Sequence, residues 1–215
     1  MNRRSASAAA ALTAVTALLL TACGSGGDAD SSSDKIKGAE QTPAEPTAAA
    51  SESAAATGRP EIKLPKSFEM RFEGWTDNDP KLQAVLDDGR AALRAEHAAI
   101  IDADPDSEAV AFYNSGPALE ASRKWIKGYV DADESLVGEA RVFDPRVRIN
   151  SSGLGVLLFC MDESNGGTKN RRTGKVSGTP ADVSPTLQYR NTLEKNSQGV
   201  WKTRSSETER GACGQ

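Results

Sequence analysis

Ser67 to Trp75 alternates apolar and charged residues, which places Phe68, Met70 and Phe72 on one face of a strand and predicts an edge position in a sheet. Asp79-Pro80 follows as an N-cap with proline at the first helical position, where the missing N–H costs nothing. A helix is predicted from there to about Asp102, with the stripe Leu82, Val85, Leu86, Gly89, Leu93, Ile100 and with His97 on or beside it. Asp104-Pro105 repeats the start signal and predicts a short helix carrying Val110, Phe112 and Tyr113. Ser115-Gly116-Pro117 opens a third helix, ending near Asp131 to Glu134, that presents Leu119, Ser122, Ile126, Tyr129 and Val130 with Trp125 adjacent.

Beyond Val137 the period changes from helical to alternating. Val137 to Asn150 reads as a long strand that Pro145 interrupts with a bulge or an edge position. Leu154 to Met161 is apolar on both alternating sets and is expected to be the central strand, covered on both faces. Asp162 to Pro185 reads as a polar, Gly-rich and basic connection. Leu187 to Glu194 and Val200 to Ser206 form the last hairpin around Asn196-Ser197-Gln198-Gly199. The expectation is an α+β domain over 61–215, with three helices packed on one face of a curved antiparallel sheet.

Ahead of the domain the pattern is of another kind. Arg3 and Arg4 precede an uncharged apolar stretch from Ala6 to Leu20, and Leu20-Thr21-Ala22-Cys23 looks like a bacterial lipobox. In that motif the small residues enter a peptidase cleft and the Cys thiol accepts a diacylglyceryl thioether. The apolar run is short for a membrane span, and Gly-Ser-Gly-Gly follows it rather than a basic flank. Residues 1–22 are therefore expected to be a lipoprotein signal peptide, with Cys23 as the lipidation site on the outer face of the cell membrane. From Gly24 to Pro60 there is no aromatic residue, and Ile36 is the only apolar residue larger than alanine. Such a segment cannot bury enough apolar surface to offset its ordering entropy, so 23–60 is read as a disordered tether reaching about 35 Å as a flexible coil.

Composition narrows the function classes. The domain carries 24 acidic against 21 basic residues, which argues against nucleic acid as a partner. With Cys23 used by the lipid, Cys160 and Cys213 remain in an oxidising compartment and are predicted to form a disulfide worth roughly 4 kcal/mol on the chain-entropy model. No His or Asn lies near either Cys in sequence, so a catalytic thiol has no support.

Order of elements together with Phe112-Tyr113, Ala140 to Pro145, Cys160 to Ser164, Thr173-Gly174-Lys175 and Gly199-Val200-Trp201 resembles a family of actinobacterial lipoproteins whose domain is similar to the NTF2-like cone fold. The resemblance implies a pocket between sheet and helices, and a group whose members range from isomerases to binding modules without activity.

His97, the one histidine, is either a helix residue without a role or a cone-lining group. Asp102, Asp104 and Asp106 echo the start of a calcium loop, but Ser107 stands where glycine is required and Tyr113 where the terminal glutamate belongs. Lys169, Arg171, Arg172 and Lys175 read as a solvated loop or an anionic-partner contact. No Ser-His-Asp set, zinc spacing or dinucleotide fingerprint is present, so no catalytic, metal or cofactor-binding residue is assigned and no cofactor is expected. The expected function is a membrane-anchored extracytoplasmic binding module for a small ligand, an envelope protein or a cell-wall component. The alternative is a cofactor-independent isomerase or hydrolase with His97 and a nearby carboxylate in a cone pocket.

Overall fold

A computed structural model describes residues 58–214. The expected signal peptide, the expected lipidation site Cys23 and the expected tether as far as residue 57 lie outside the described residues. Among the described residues no helix is long and apolar enough to cross a membrane.

Strand β1, Phe68–Phe72, leads into helices α1, Pro80–Asp102, α2, Glu108–Tyr113, and α3, Gly116–Asp131. Strands β2, Glu134–Ile149, β3, Gly155–Asp162, β4, Gly166–Asn170, β5, Val176–Gly178, β6, Thr186–Lys195, and β7, Trp201–Arg210, follow. The architecture is α+β, with one seven-stranded sheet. β2 is its hub: its N-terminal half pairs antiparallel with β4, its C-terminal half with β3, and residues 138–142 carry β1 in parallel. A parallel partner follows from the long helical crossover between β1 and β2, since only such a connection returns the chain in the same direction. β6 pairs with β3, and β7 pairs with β6 as the opposite edge.

Local chemistry accounts for the boundaries. Asp79 accepts from the Lys81 backbone N–H at 2.8 Å and Pro80 takes the first helical position, so α1 starts where the sequence predicts. It ends at Ala103, held left-handed at φ 57°. The second helix begins later than Asp104-Pro105 predicts, with Ser107 as its N-cap. Asp104 instead spends its carboxylate on the Asp106 N–H within the turn. In β2 the register shifts between Phe143 and Arg146, so the interruption predicted at Pro145 is a bulge, with Asp144 at φ 49°.

Two expectations are corrected. The segment 162–185 is more than a polar connection: it contains β4 and β5, turned by Asn170, whose side-chain Oδ1 accepts from the N–H groups of Arg172 and Thr173 and from the Thr173 hydroxyl. β3 is central but fully covered on one face only. Leu157, Phe159 and Met161 are buried against the helices, whereas Val156 and Leu158 stay half-buried on a face that receives no helix. Cys160 on that face is buried because the predicted Cys160–Cys213 disulfide is formed, with Cα atoms 6.0 Å apart.

The principal core joins Phe68, Met70, Trp75, Val85, Leu86, Leu93, Leu157 and Phe159. α1 approaches β3 closely at Gly89, where a Cβ would stand 2.6 Å from a Leu157 methyl. The residue just before Gly89, Asp88, is fully buried and satisfied from two sides: Arg59 pairs with its carboxylate, and the Trp201 N–H donates to it at 2.8 Å. Residues 58–65 thereby become a strap fastened to α1.

Two outcomes are expected in urea denaturation. Replacing Cys160 and Cys213 together by serine should lower the unfolding free energy by roughly 4 kcal/mol, since the cross-link spans 53 positions; an unchanged midpoint would remove the staple from the account. Arg59→Met should cost about 3 kcal/mol by stranding a buried carboxylate, the low end of the usual range because Arg59 is 26 % exposed, and adding Asp88→Asn should recover part of that loss.

Candidate functional site

In the second half of α1, Glu96 and His97 occupy adjacent positions that point about 100° apart around the helix axis. The His97 ring is fixed on three sides. Its Nδ1 lies 2.8 Å from the Leu93 carbonyl oxygen one turn earlier. Phe68 stacks on it at 5.7 Å between centroids, and Trp125 of α3 meets it edge-on at 5.5 Å. Trp125 is 37 % exposed, with Tyr129 edge-on to it at 5.5 Å.

Two cavities meet at His97 and Trp125. One, of about 240 Å³, is lined by Phe68, Trp125, Tyr129, Glu163 and Arg210 with the β4 and β5 backbone behind. The other, of about 290 Å³, is bounded by Leu93, Glu96, Ser122, Tyr189 and Thr208. In the first, Arg210 lies 3.5 Å from Glu163 and donates to the Ser184 carbonyl at 2.7 Å. Burial raises the Glu163 carboxyl above its ordinary range, with Arg210 opposing. In the second, burial pushes Glu96 up to about 7, although the Ser122 hydroxyl donates to it at 2.6 Å. Burial also holds the Tyr189 and Tyr129 phenols protonated above their usual range. His97 is lowered to about 4 by the same desolvation, with the Leu93 carbonyl opposing.

The arrangement therefore offers a neutral imidazole, a carboxyl that titrates near neutrality and phenols that can donate, set among aromatic walls. His97 lines both cavities. The carboxylate partner that the enzyme alternative requires is not there: among the described residues His97 hydrogen bonds to Leu93 alone and forms no ion pair. Its orienting contact is a backbone carbonyl, which fixes the ring and raises its basicity by less than burial lowers it.

The other sequence candidates separate from this site. Arg171 donates to the carbonyls of Ile100, Ile101 and Glu134, closing the C-terminal end of α1, whose last turn has no basic residue of its own. Arg172 pairs with Asp133 at 3.1 Å. Two of the four cations of the basic segment are thus engaged within the domain. Asp106 lies 3.6 Å from Arg123, and no group of three or more potential metal ligands occurs among the described residues. Sequence reasoning missed Glu96, Glu163, Tyr189 and Arg210. A signal for two of them was present, because Glu163 follows Cys160 by three residues and Arg210 precedes Cys213 by three, so the disulfide brings both to one place.

Comparison with known proteins adds the following. No family model and no curated protein matches the chain. Among solved structures, the intermembrane-space region of the chloroplast protein ARC6 is similar with a TM-score of 0.45 at 9 % identity, over 60 % of this chain and 97 % of that one. A ketosteroid isomerase-like protein from Erwinia carotovora atroseptica gives 0.44 at 16 % identity, over 62 % and 98 %. Aln2 from a Streptomyces species gives 0.44 at 14 % identity, over 63 % and 94 %.

The opposed shifts of neighbouring Glu96 and His97 set a pH signature. Between about pH 4.5 and 7 the folded protein keeps a proton on Glu96 that the unfolded chain has lost, so this group's stabilisation fades as pH rises. Between about pH 4 and 6.5 the unfolded chain keeps a proton on His97 that the folded protein lacks, so that contribution grows with pH. The two offset each other where the windows overlap. In Glu96→Gln only the second remains. The variant should gain on wild type by up to about 3 kcal/mol from pH 4.5 to 7 in urea denaturation, and a constant difference would show that Glu96 titrates normally.

Proposed function

We propose that this chain is a membrane-anchored extracytoplasmic lipoprotein, held by a lipid on Cys23 at the outer face of the cell membrane, whose α+β domain binds a small, largely apolar ligand beneath α1 and α3. Membership of the actinobacterial lipoprotein group with an NTF2-like domain is part of this proposal and rests on the sequence motifs. The observation that carries the binding function is the cavity of about 240 Å³ at His97, with aromatic walls and a few polar groups, the usual make-up of a small-molecule site. Binding of an envelope protein or wall component through the basic segment is less favoured, since Arg171 and Arg172 are occupied inside the domain.

A second reading has one specific observation in its favour. A carboxyl lifted to about 7 beside a protonated phenol, as Glu96 and Tyr189 are in the 290 Å³ cavity, suits proton transfer in a cofactor-independent isomerase, with Glu96 rather than His97 as the base. The absence of a hydrogen-bonded base pair at His97 makes simple binding the first choice.

Both parts are testable in cells that process lipoproteins. Cys23→Ser should move the protein from the membrane fraction to the soluble one; continued sedimentation with membranes would overturn the anchor. Organic extraction of natively purified protein should yield a small molecule in near-stoichiometric amount, at least about tenfold depleted in Trp125→Ala. Recovery of that molecule unchanged after incubation supports binding. Conversion that Glu96→Gln abolishes would replace it by the isomerase.

A further inference from the structure

The polarity of the ligand site is written in the tautomer of His97. A carbonyl oxygen has no hydrogen to give, so at 2.8 Å from the Leu93 oxygen Nδ1 must carry the proton and donate it. The stacked Phe68 and the edge of Trp125 keep the ring from turning over. Nε2 then carries a lone pair, and it has no partner among the described residues while the ring forms a wall of both cavities. Of the neighbouring donors, the Ser122 hydroxyl is spent on Glu96 and Arg210 on Glu163 and the Ser184 carbonyl, and neither the Tyr129 nor the Tyr189 hydroxyl hydrogen bonds to the ring.

We infer that the cavity selects ligands by a single hydrogen-bond donor presented to His97 Nε2, so that its occupants are apolar ring compounds bearing one N–H or O–H group. This rests on the cavity being a ligand site, and adds to it the chemical class. Phe68, Trp125 and Leu136 supply the apolar walls against which a planar ring packs. A ligand of the same shape without a donor leaves Nε2 facing carbon, and one offering only acceptors sets lone pair against lone pair. Each loses a hydrogen bond that water had supplied to the free protein.

Indole and 1-benzothiophene make the test, because they share shape and apolar surface and differ in one N–H. Titration calorimetry on the full chain should give indole the tighter binding by about tenfold, and His97→Phe, which keeps the aromatic stack, should bring the two to parity. The chain holds one histidine, so nitrogen-15 spectra of its ring are unambiguous: free protein should show the Nδ1–H tautomer, and Nε2 should shift with indole and stay with 1-benzothiophene. These spectra decide the matter on wild type even if the variant folds poorly. Equal binding of the two probes, a preference that survives in His97→Phe, or an Nε2–H tautomer would each overturn the donor rule while leaving the ligand site intact. Failure of both probes to bind wild type would overturn the donor rule and the ligand site together.

Discussion

A carboxylate with no exposure to water is tolerable only where its charge is answered on the spot, and Asp88 is answered by Arg59 and by the Trp201 N–H. Three distant pieces of chain meet in that one group: the strap that precedes β1, the middle of α1, and the start of β7. Gly89, the next residue, lets α1 settle against Leu157 at a distance no side chain would allow. Together the charge lock and the missing Cβ fix where the helix lies on the sheet, and hence where Glu96 and His97 stand two turns further on. The geometry of the cavity is in this sense a downstream result of how α1 is seated.

Desolvation then sets the chemistry. The same loss of water raises Glu96 and lowers His97, because in each case it is the charged form that suffers. Neutral partners replace ionic ones across the site: a hydroxyl on Glu96, a backbone carbonyl on His97, phenols at Tyr129 and Tyr189. Glu163 is the exception, and it is placed where Arg210 can reach it. A site of this kind reads hydrogen-bond direction and shape more than charge, which fits a largely apolar occupant.

Most of the fold was legible because its signals are local. Asp79-Pro80 and Ser115-Gly116-Pro117 mark helix starts by backbone chemistry that operates whatever packs nearby, and Pro145 marks the bulge for the same reason. The two cysteines of the domain had one possible pairing with each other. What escaped was tertiary. β4 is short, half-buried and opens on two glycines, and β5 is three exposed residues, so no apolar alternation announces them, and they form because β2 extends far enough to offer an edge. Arg171 looked like a solvated charge since its acceptors, the carbonyls at the end of α1, lie some 70 positions away. Of the site, only His97 was visible. Glu96 gained its character from burial, and burial of a glutamate beside a histidine leaves no mark in sequence.

The disulfide ties β3 to the chain just past β7 and so passes over β6, which lies between them. β7 is the outer strand of the sheet, and its residues 204–210 are exposed, a pairing edge open to another polypeptide. Two copies could in principle trade these strands, each laying its β7 on the other's β6. With the bond closed within one chain, that exchange is topologically barred, and the oxidised protein is committed to its own terminal strand.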